Sequence, residues 1–408
     1  MSDQIPRHVL DGYKVVDFSQ IVAGPTCTLM LAEMGADVIK VEMAPKGDPS
    51  RLGPLSVNGR SGYFVQHNRG KRDVCIDLKH PDGLTIAKDL LRQADVMVEN
   101  FAPGVIGRLG LGYDVVKELN PGLVMCSISA FGQTGPLADA PGFDYLGASY
   151  AGVVSMCGEA GGSPYIPMIA FGDVSTGAHA MGAICAALLG RARTGRGQHL
   201  DISLLDTYFH YHEAGVETYS LSKGKISPTR SGMHSWYANP VGIFKARDRY
   251  IFLISSLDHH FANLCRAMGQ PELTEDPRFK TNAERLKNLK EMTATIEAWM
   301  QSAKSDDDTL AALREFRVPH APILSVAEAV NHPHMRQRGT VRTVHDQILG
   351  DFDVPGFALR FSDYPERLDL EAPTLGQHNE QVLTATLGYS AERVAELTQQ
   401  GILRSAPV

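Results

Sequence analysis

Asp173 stands in the stretch Ala170-Phe171-Gly172-Asp173-Val174-Ser175-Thr176-Gly177, a lone carboxylate between glycines, just ahead of the small-residue run from Ala178 to Ala187. An acid at such a place is a good helix N-cap. It also suits a nucleophile: the helix dipole and backbone N–H groups favour the ionised form, and an open carboxylate can attack a thioester. The two readings agree, since capping keeps the nucleophile ionised and Gly172 leaves room for a bulky acyl group. A second constellation is cationic. Asn68-Arg69-Gly70-Lys71-Arg72, with Lys79 and Arg108, falls at loops flanking strands, where charge-assisted hydrogen bonds hold phosphates. A solvated charged loop is the alternative for such a run. The loop at 51–69, with Arg51, and the segment 229–234, with Arg230 and His234, offer cationic and polar partners for a substrate carboxylate.

Other chemistries lack their residues. His332-Pro333-His334 and Asp258-His259-His260 have neither H-E-x-x-H spacing nor a third ligand, so no metal is expected. There is no G-x-S-x-G elbow and no P-loop. Asp306-Asp307-Asp308 reads as a helix start, without the glycine of a calcium loop. The six cysteines include no C-x-x-C pair and read as free thiols of a reducing compartment. A net charge of −7 argues against a nucleic-acid partner. No apolar run approaches the ~18 residues of a membrane span. The polar start of the chain lacks the apolar core of a signal peptide, so a cytoplasmic location is expected.

The elements that must position these residues follow a βα rhythm. Apolar runs at 14–18 and 37–42 read as strands around a helix at 26–34 that Gly35 stops, a right-handed βαβ unit. Strands at 74–78, 96–99 and 123–127 continue the pattern, with a helix at 81–94. In place of the three-glycine dinucleotide fingerprint, Ser19–Pro25 offers one glycine and a proline, so NAD is not expected, although Glu42 mimics the ribose-binding acid. Helices are expected from 143, from Asp173 to about 193, and over 204–221. Composition shifts at Ser222-Lys223-Gly224-Lys225, which reads as a linker. A hairpin at 241–255 and several helices then form a smaller α+β region. Two short helices, 379–387 and 391–399, end the chain. The expected organisation is a large Rossmann-like α/β domain over 1–222, a small α+β domain over 223–330, and a segment 331–408 that returns to the large domain.

Taken in order, these motifs resemble the class III CoA-transferases, the CaiB/BaiF type that includes formyl-CoA and carnitine CoA-transferases. The matching stretches are Val16-Asp17-Phe18-Ser19 through Val22-Ala23-Gly24-Pro25, Gly35 to Glu42, Asn68 to Arg72, and Ala94 to Gly104. They continue with Phe131-Gly132-Gln133-Thr134-Gly135-Pro136, Arg193 to Gln198, and Leu375-Gly376-Gln377-His378, so nearly the whole chain is covered. The resemblance implies a large α/β domain made from both chain ends, a smaller inserted domain, and an interlocked homodimer. It places the nucleophile on Asp173. It places coenzyme A contacts on Val22, Ala23, Ile76, Lys79, Asn100, Phe101 and Arg108, with Lys71 and Arg72 nearby. Coenzyme A is then a co-substrate, and no cofactor is held permanently. An arginine that relatives can carry after the second strand's Glu is Met43 here.

The superfamily also holds 2-methylacyl-CoA racemases, which use a His in a Gly-His-Asp context as one of two proton shuttles. Here that context is Gly142-Phe143-Asp144, and phenylalanine cannot shuttle a proton. Transfer is therefore favoured over racemisation, and an intact Asp173 over a non-catalytic coenzyme A-binding subunit. Asp144, Arg51, Arg230 and His234 are the candidate substrate contacts. The small-domain segment lacks the four-glycine run of formyl-CoA:oxalate enzymes, and the cations suit a second carboxylate. The expected reaction is succinyl-CoA-dependent transfer to a small dicarboxylic acid such as itaconate, citramalate, glutarate or malate.

Overall fold

A computed structural model of the chain describes residues 7–406. Its largest sheet has seven strands: β1 Lys14–Asp17, β2 Asp37–Met43, β3 Lys71–Ile76, β4 Val96–Glu99, β5 Val124–Ser129, β6 His199–Ser203 and β7 Leu403–Arg404. They lie in the order β7-β3-β2-β1-β4-β5-β6. All neighbours are parallel except β7, which closes the edge antiparallel to β3. The run 3-2-1-4-5-6 is the doubly wound order, whose direction reverses between β1 and β4.

Strands β1, β4 and β5 are short, largely apolar runs because both faces are covered, whereas the edge strand β6 is more exposed. On one face Val16, Ile39, Val74, Met97 and Met125 pack against Ile86, Leu90 and Leu397. On the other, Val15, Val38, Val96 and Val124 meet Cys27 and Leu31 of helix α1, Ala23–Glu33. Three further helices matter for the site: α2 Asp144–Tyr150, α3 Phe171–Thr194 and α4 Leu204–His210. Helix α3 packs Ala180, Ile184 and Leu188 into the same core as α1. The two helices touch closely at Gly177, where an added Cβ would lie 2.6 Å from the Ala23 carbonyl oxygen and 2.9 Å from Thr26 Cβ. That glycine lets α3 lie against the start of α1 and so fixes where the head of α3 sits.

The chain divides into two compact units. The first comprises Met1–Ala151, Pro167–Tyr211 and Pro333–Val408 and contains the seven-stranded sheet. The second comprises Gly152–Ile166 and His212–His332. It holds a three-stranded antiparallel sheet, Val241–Lys245, Tyr250–Ile254 and His320–Pro322, around a core of Phe244, Leu253, Leu264 and Ile296. These limits differ from the expected 1–222 and 223–330. The second unit's main segment runs from His212 to His332, and the unit also takes in Gly152–Ile166. The single helix expected over 204–221 is two, Leu204–His210 and Gly215–Leu221, because the chain leaves the first unit between them.

Candidate active site

Asp173 lies in the first turn of α3, three residues past its N-cap, Ala170, and is not the cap itself. The cap role falls on a carboxylate from elsewhere. Asp144, at the start of α2, is 6% exposed and accepts the Asp173 N–H through Oδ2 at 3.4 Å. Its Oδ1 accepts from the Tyr208 hydroxyl of α4, and that hydroxyl accepts the Gly172 N–H at 3.0 Å. Gly172 is required for this closeness: a Cβ there would lie 2.2 Å from Tyr208 Cε2 and 2.6 Å from Asp144 Oδ1. Gly172 therefore makes room for Tyr208 and Asp144, not for an acyl group.

This setting corrects the electrostatics expected of Asp173. Burial, and then the like charge of Asp144, push its carboxyl up to about 7. The helix dipole is outweighed, since it is worth only ~0.3–1 kcal/mol at an ordinary N-terminus. Tyr63, on the helix Gly62–Asn68, feels the same carboxylate: burial raises its phenol, and Asp173 adds to the rise.

Asp173 opens on a cavity of about 410 Å³. The loop after β1 supplies Gln20, Ile21, Val22 and Ala23, and the loop after β4 supplies Asn100, Phe101, Ala102 and Val105. Ile128, Ser129, Phe143 and Leu204 complete much of the wall. The cavity thus lies at the carboxyl ends of β1 and β4, where the strand order reverses and ligands of doubly wound sheets bind. The two loops are tied directly. Asn100 Oδ1 accepts the Gln20 N–H and its Nδ2 donates to the Gln20 carbonyl, both at 2.8 Å. Ile21 takes a φ of +67°, costly for a β-branched residue, and its N–H donates to Asp48 Oδ1 at 3.1 Å. Asp48 is itself pinned by Lys40, 2.9 Å away.

The structure thus brings Asp173, Val22, Ala23, Asn100 and Phe101 together. Other expected contacts are engaged elsewhere. Lys71 is 3% exposed, with Nζ 3.0 Å from Asp17 and 2.9 Å from Asn68 Oδ1, so its charge is committed inside the fold. Arg72 pairs with Asp37 at 2.6 Å on β2. Arg51 pairs with Glu42 at 2.6 Å and stacks on Phe64, 3.7 Å from its centroid. It fills the gap between the buried acids Glu42 and Asp73 instead of facing a substrate. The Ile76 side chain is wholly buried in the core. Asp144 turns inward, as described above. Arg230 and His234 belong to the second unit. There Arg230 donates to the carbonyls of Ser155 and Gly162 at 2.8 and 3.0 Å, and His234 packs edge-on against Phe244. Lys79 and Arg108 are exposed. Arg108 ends the short helix Val105–Arg108 that begins in the cavity wall.

Sequence reading missed Tyr208, Tyr63 and Gln20. Gln20 sits inside the motif that carries the family resemblance and was open to detection. Tyr208 reaches Asp144 across 64 residues, and no local pattern marks that contact.

The family model described as CoA-transferase family III matches residues 10–379. The succinyl-CoA–D-citramalate CoA-transferase of Chloroflexus aurantiacus is 35% identical over 99% of this chain and 100% of its own length. The succinate–glutarate CoA-transferase of Agrobacterium fabrum is 35% identical over 92% of this chain and 94% of its own. Among solved structures, a CaiB/BaiF family protein from Brucella suis superposes with a TM-score of 0.81 at 35% identity, covering 93% of this chain and 100% of that one. With the doubly wound sheet and the Asp173 cavity in place, matches of this extent show that the chain belongs to CoA-transferase family III.

Proposed function

We propose that this CoA-transferase moves coenzyme A from succinyl-CoA to a small dicarboxylic acid, with Asp173 as the covalent nucleophile. The observation that carries the reading is the Asp173 carboxyl, set in the first turn of α3 and opening on the cavity at the β1/β4 switch point. The Asp173 carboxylate attacks the donor thioester carbonyl, the C–S bond breaks, and an aspartyl–acyl anhydride and coenzyme A thiolate result. The thiolate attacks the aspartyl carbonyl, giving an Asp173–coenzyme A thioester and the donor acid as its carboxylate. The acceptor carboxylate attacks that thioester, and the returning thiolate takes the acceptor acyl group from the second anhydride, which restores Asp173. Val22, Ala23, Asn100 and Phe101 line the coenzyme A path, and the exposed Lys79 and Arg108 meet its phosphates.

The relatives named for citramalate and glutarate support a dicarboxylate acceptor; itaconate and malate are of the same class. A racemase needs a proton shuttle where Phe143 lines the cavity, and phenylalanine has no proton to give. The working form is an interlocked homodimer, for which Val174 and Leu189, both exposed along α3, offer apolar surface. Among the described residues no helix is long and apolar enough to cross a membrane. The test is a panel of mono- and dicarboxylic acids with succinyl-CoA as donor, read by mass spectrometry, with hydroxylamine trapping of the protein-bound thioester. Formation of dicarboxyl-CoA products and a hydroxamate on Asp173 is expected. Turnover restricted to monocarboxylates overturns the acceptor class, and a trapped adduct on another residue overturns the nucleophile.

A further inference from the structure

Asn100 and Phe101, in the cavity wall, rest on a buried acid that the transfer steps do not use. Glu99 ends β4 and is 1% exposed. Its Oε2 accepts the Phe101 N–H at 2.9 Å. Strand register sets Ser127 of β5 and Asp201 of β6 abreast of it. The Ser127 hydroxyl bonds to the Glu99 carboxyl, and its Oγ lies 2.9 Å from His199 Nε2. His199 lies at the surface, with its ring partly covered where it stacks on Tyr113, centroids 5.2 Å apart. A line of hydrogen bonds therefore runs from the cavity wall through Glu99 and Ser127 to the surface.

The titratable groups around Glu99 are Asp201 and His199 on β6, Cys126 on β5, and Tyr113 beyond His199. None of the groups acting on it is a cation. Burial lifts its carboxyl to about 7, with Asp201 adding a little and Ser127 and the Phe101 N–H opposing. An acid built only to cap Phe101 would gain from a cation; this one is left without. Ionised, it places a buried negative charge directly under the wall that receives a polyanionic ligand.

We propose that Glu99 is a positioning residue for coenzyme A: as a neutral acid it holds the Phe101 N–H and the cavity wall, and loss of its proton weakens binding of the anionic ligand. The proposal rests on the reading of the cavity as the coenzyme A pocket. Free coenzyme A, titrated calorimetrically into the full chain at about pH 6 to 8.5 in buffers of different ionisation enthalpy, tests it. Wild type is expected to take up a fraction of a proton on binding near pH 7.5, and its Kd to rise several-fold towards high pH. Glu99→Gln keeps an acceptor for Phe101 and a donor for Ser127. It should bind within about twofold of the wild-type value at pH 6, with the extra proton uptake gone and the rise in Kd much reduced. The coenzyme's own phosphate, with a pKa of about 6, titrates alike in both proteins, so their difference isolates Glu99. Glu99→Ala, which strips the Phe101 N–H of its acceptor, should weaken binding about tenfold at every pH. Identical proton uptake in wild type and Glu99→Gln overturns the proposal, as does Glu99→Ala binding as tightly as Glu99→Gln. Wild type that shows no saturable binding of coenzyme A overturns the pocket reading and this proposal with it.

Discussion

Asp17 and Asp173 are carboxyls of one unit, the first fully buried and the second half-buried, and their surroundings treat them oppositely. Asp17 ends β1 with no exposed surface. Burial would raise its carboxyl, but Lys71 and then Lys40 outweigh burial and hold it below the usual carboxylate range. Thr28 donates to it at 2.7 Å, and Ser19 donates from both backbone and hydroxyl. Asp48, next in the same network, is drawn down to about 2 against burial by Lys40. Asp173 has no such cation, and its neighbour is another acid. Glu99 under the cavity wall is alike. The buried cations near the sheet are thus committed to acids that hold strands and loops together. Glu99 and Asp173, which no cation offsets among the described residues, are at the cavity, where a perturbed carboxyl has chemical use.

The largest effect separating the two regions is on turnover. Asp173→Ala should lower succinyl-CoA-dependent transfer by a factor on the order of 10⁴ or more, since among the described residues lining the cavity Asp173 is the one carboxylate. Coenzyme A should bind within about threefold of wild type, and the melting temperature should not fall, because the variant removes an uncompensated acid. Steady-state rates, calorimetric Kd and thermal melts check the three parts. Retained turnover would break the division at its centre.

How much of this division could be read beforehand depends on the range of the contacts. The strands β1 to β5 are legible as short runs with apolar residues at their centres, and the missing dinucleotide fingerprint is legible at Ser19–Pro25. The switch-point cavity follows from strand order, which single segments do not carry. The burial of Lys71 is not legible in sequence, because a cluster of Asn, Arg, Gly and Lys looks the same whether it ends in solvent or in a core. Its partner Asp17 is 54 residues away. The pairing of Arg51 is hidden for the same reason, although Glu42 is only nine residues off and both flank one loop. The glycine context singles out Asp173 in the sequence, but the burial and the like charge that raise its carboxyl are not visible there. The capping group is Asp144, 29 residues upstream, and it brings a charge of the same sign.

The paired region should respond in stability where the cavity responds in rate. Lys71→Met leaves the buried Asp17 with Lys40 alone to offset its charge and should cost about 3 kcal/mol of folding free energy, while the double variant with Asp17→Asn should recover most of the loss. The folded fraction should bind coenzyme A as wild type does. Arg108→Ala, on the exposed end of the cavity loop, should leave stability within ~0.5 kcal/mol and weaken coenzyme A about tenfold at low salt. Denaturant titration and calorimetry separate the cases. If Lys71→Met instead weakens coenzyme A tenfold with stability intact, the lysine serves phosphate and the contrast drawn here is wrong.

A finer test lies in the pH dependence of the first chemical step. The attacking species is the Asp173 carboxylate, and burial with Asp144 sets its titration near 7. Below that value the nucleophile is mostly protonated, so single-turnover formation of the enzyme–coenzyme A thioester should fall about tenfold per pH unit as pH drops, and should level off above it. The structural acids cannot produce this limb. Asp48 titrates near 2, and Asp17 lies below the usual aspartate range, so both stay ionised through the interval. Asp144→Asn removes the like charge but keeps an acceptor for the Asp173 N–H. The acid limb should then move to lower pH, with the plateau rate changed less than the midpoint, because burial, the larger cause, is untouched. A midpoint that stays at 7 in Asp144→Asn would mean that burial alone sets it. A limb absent in wild type would mean that substrate binding has already stripped the proton, and would place the control of Asp173 in the bound complex.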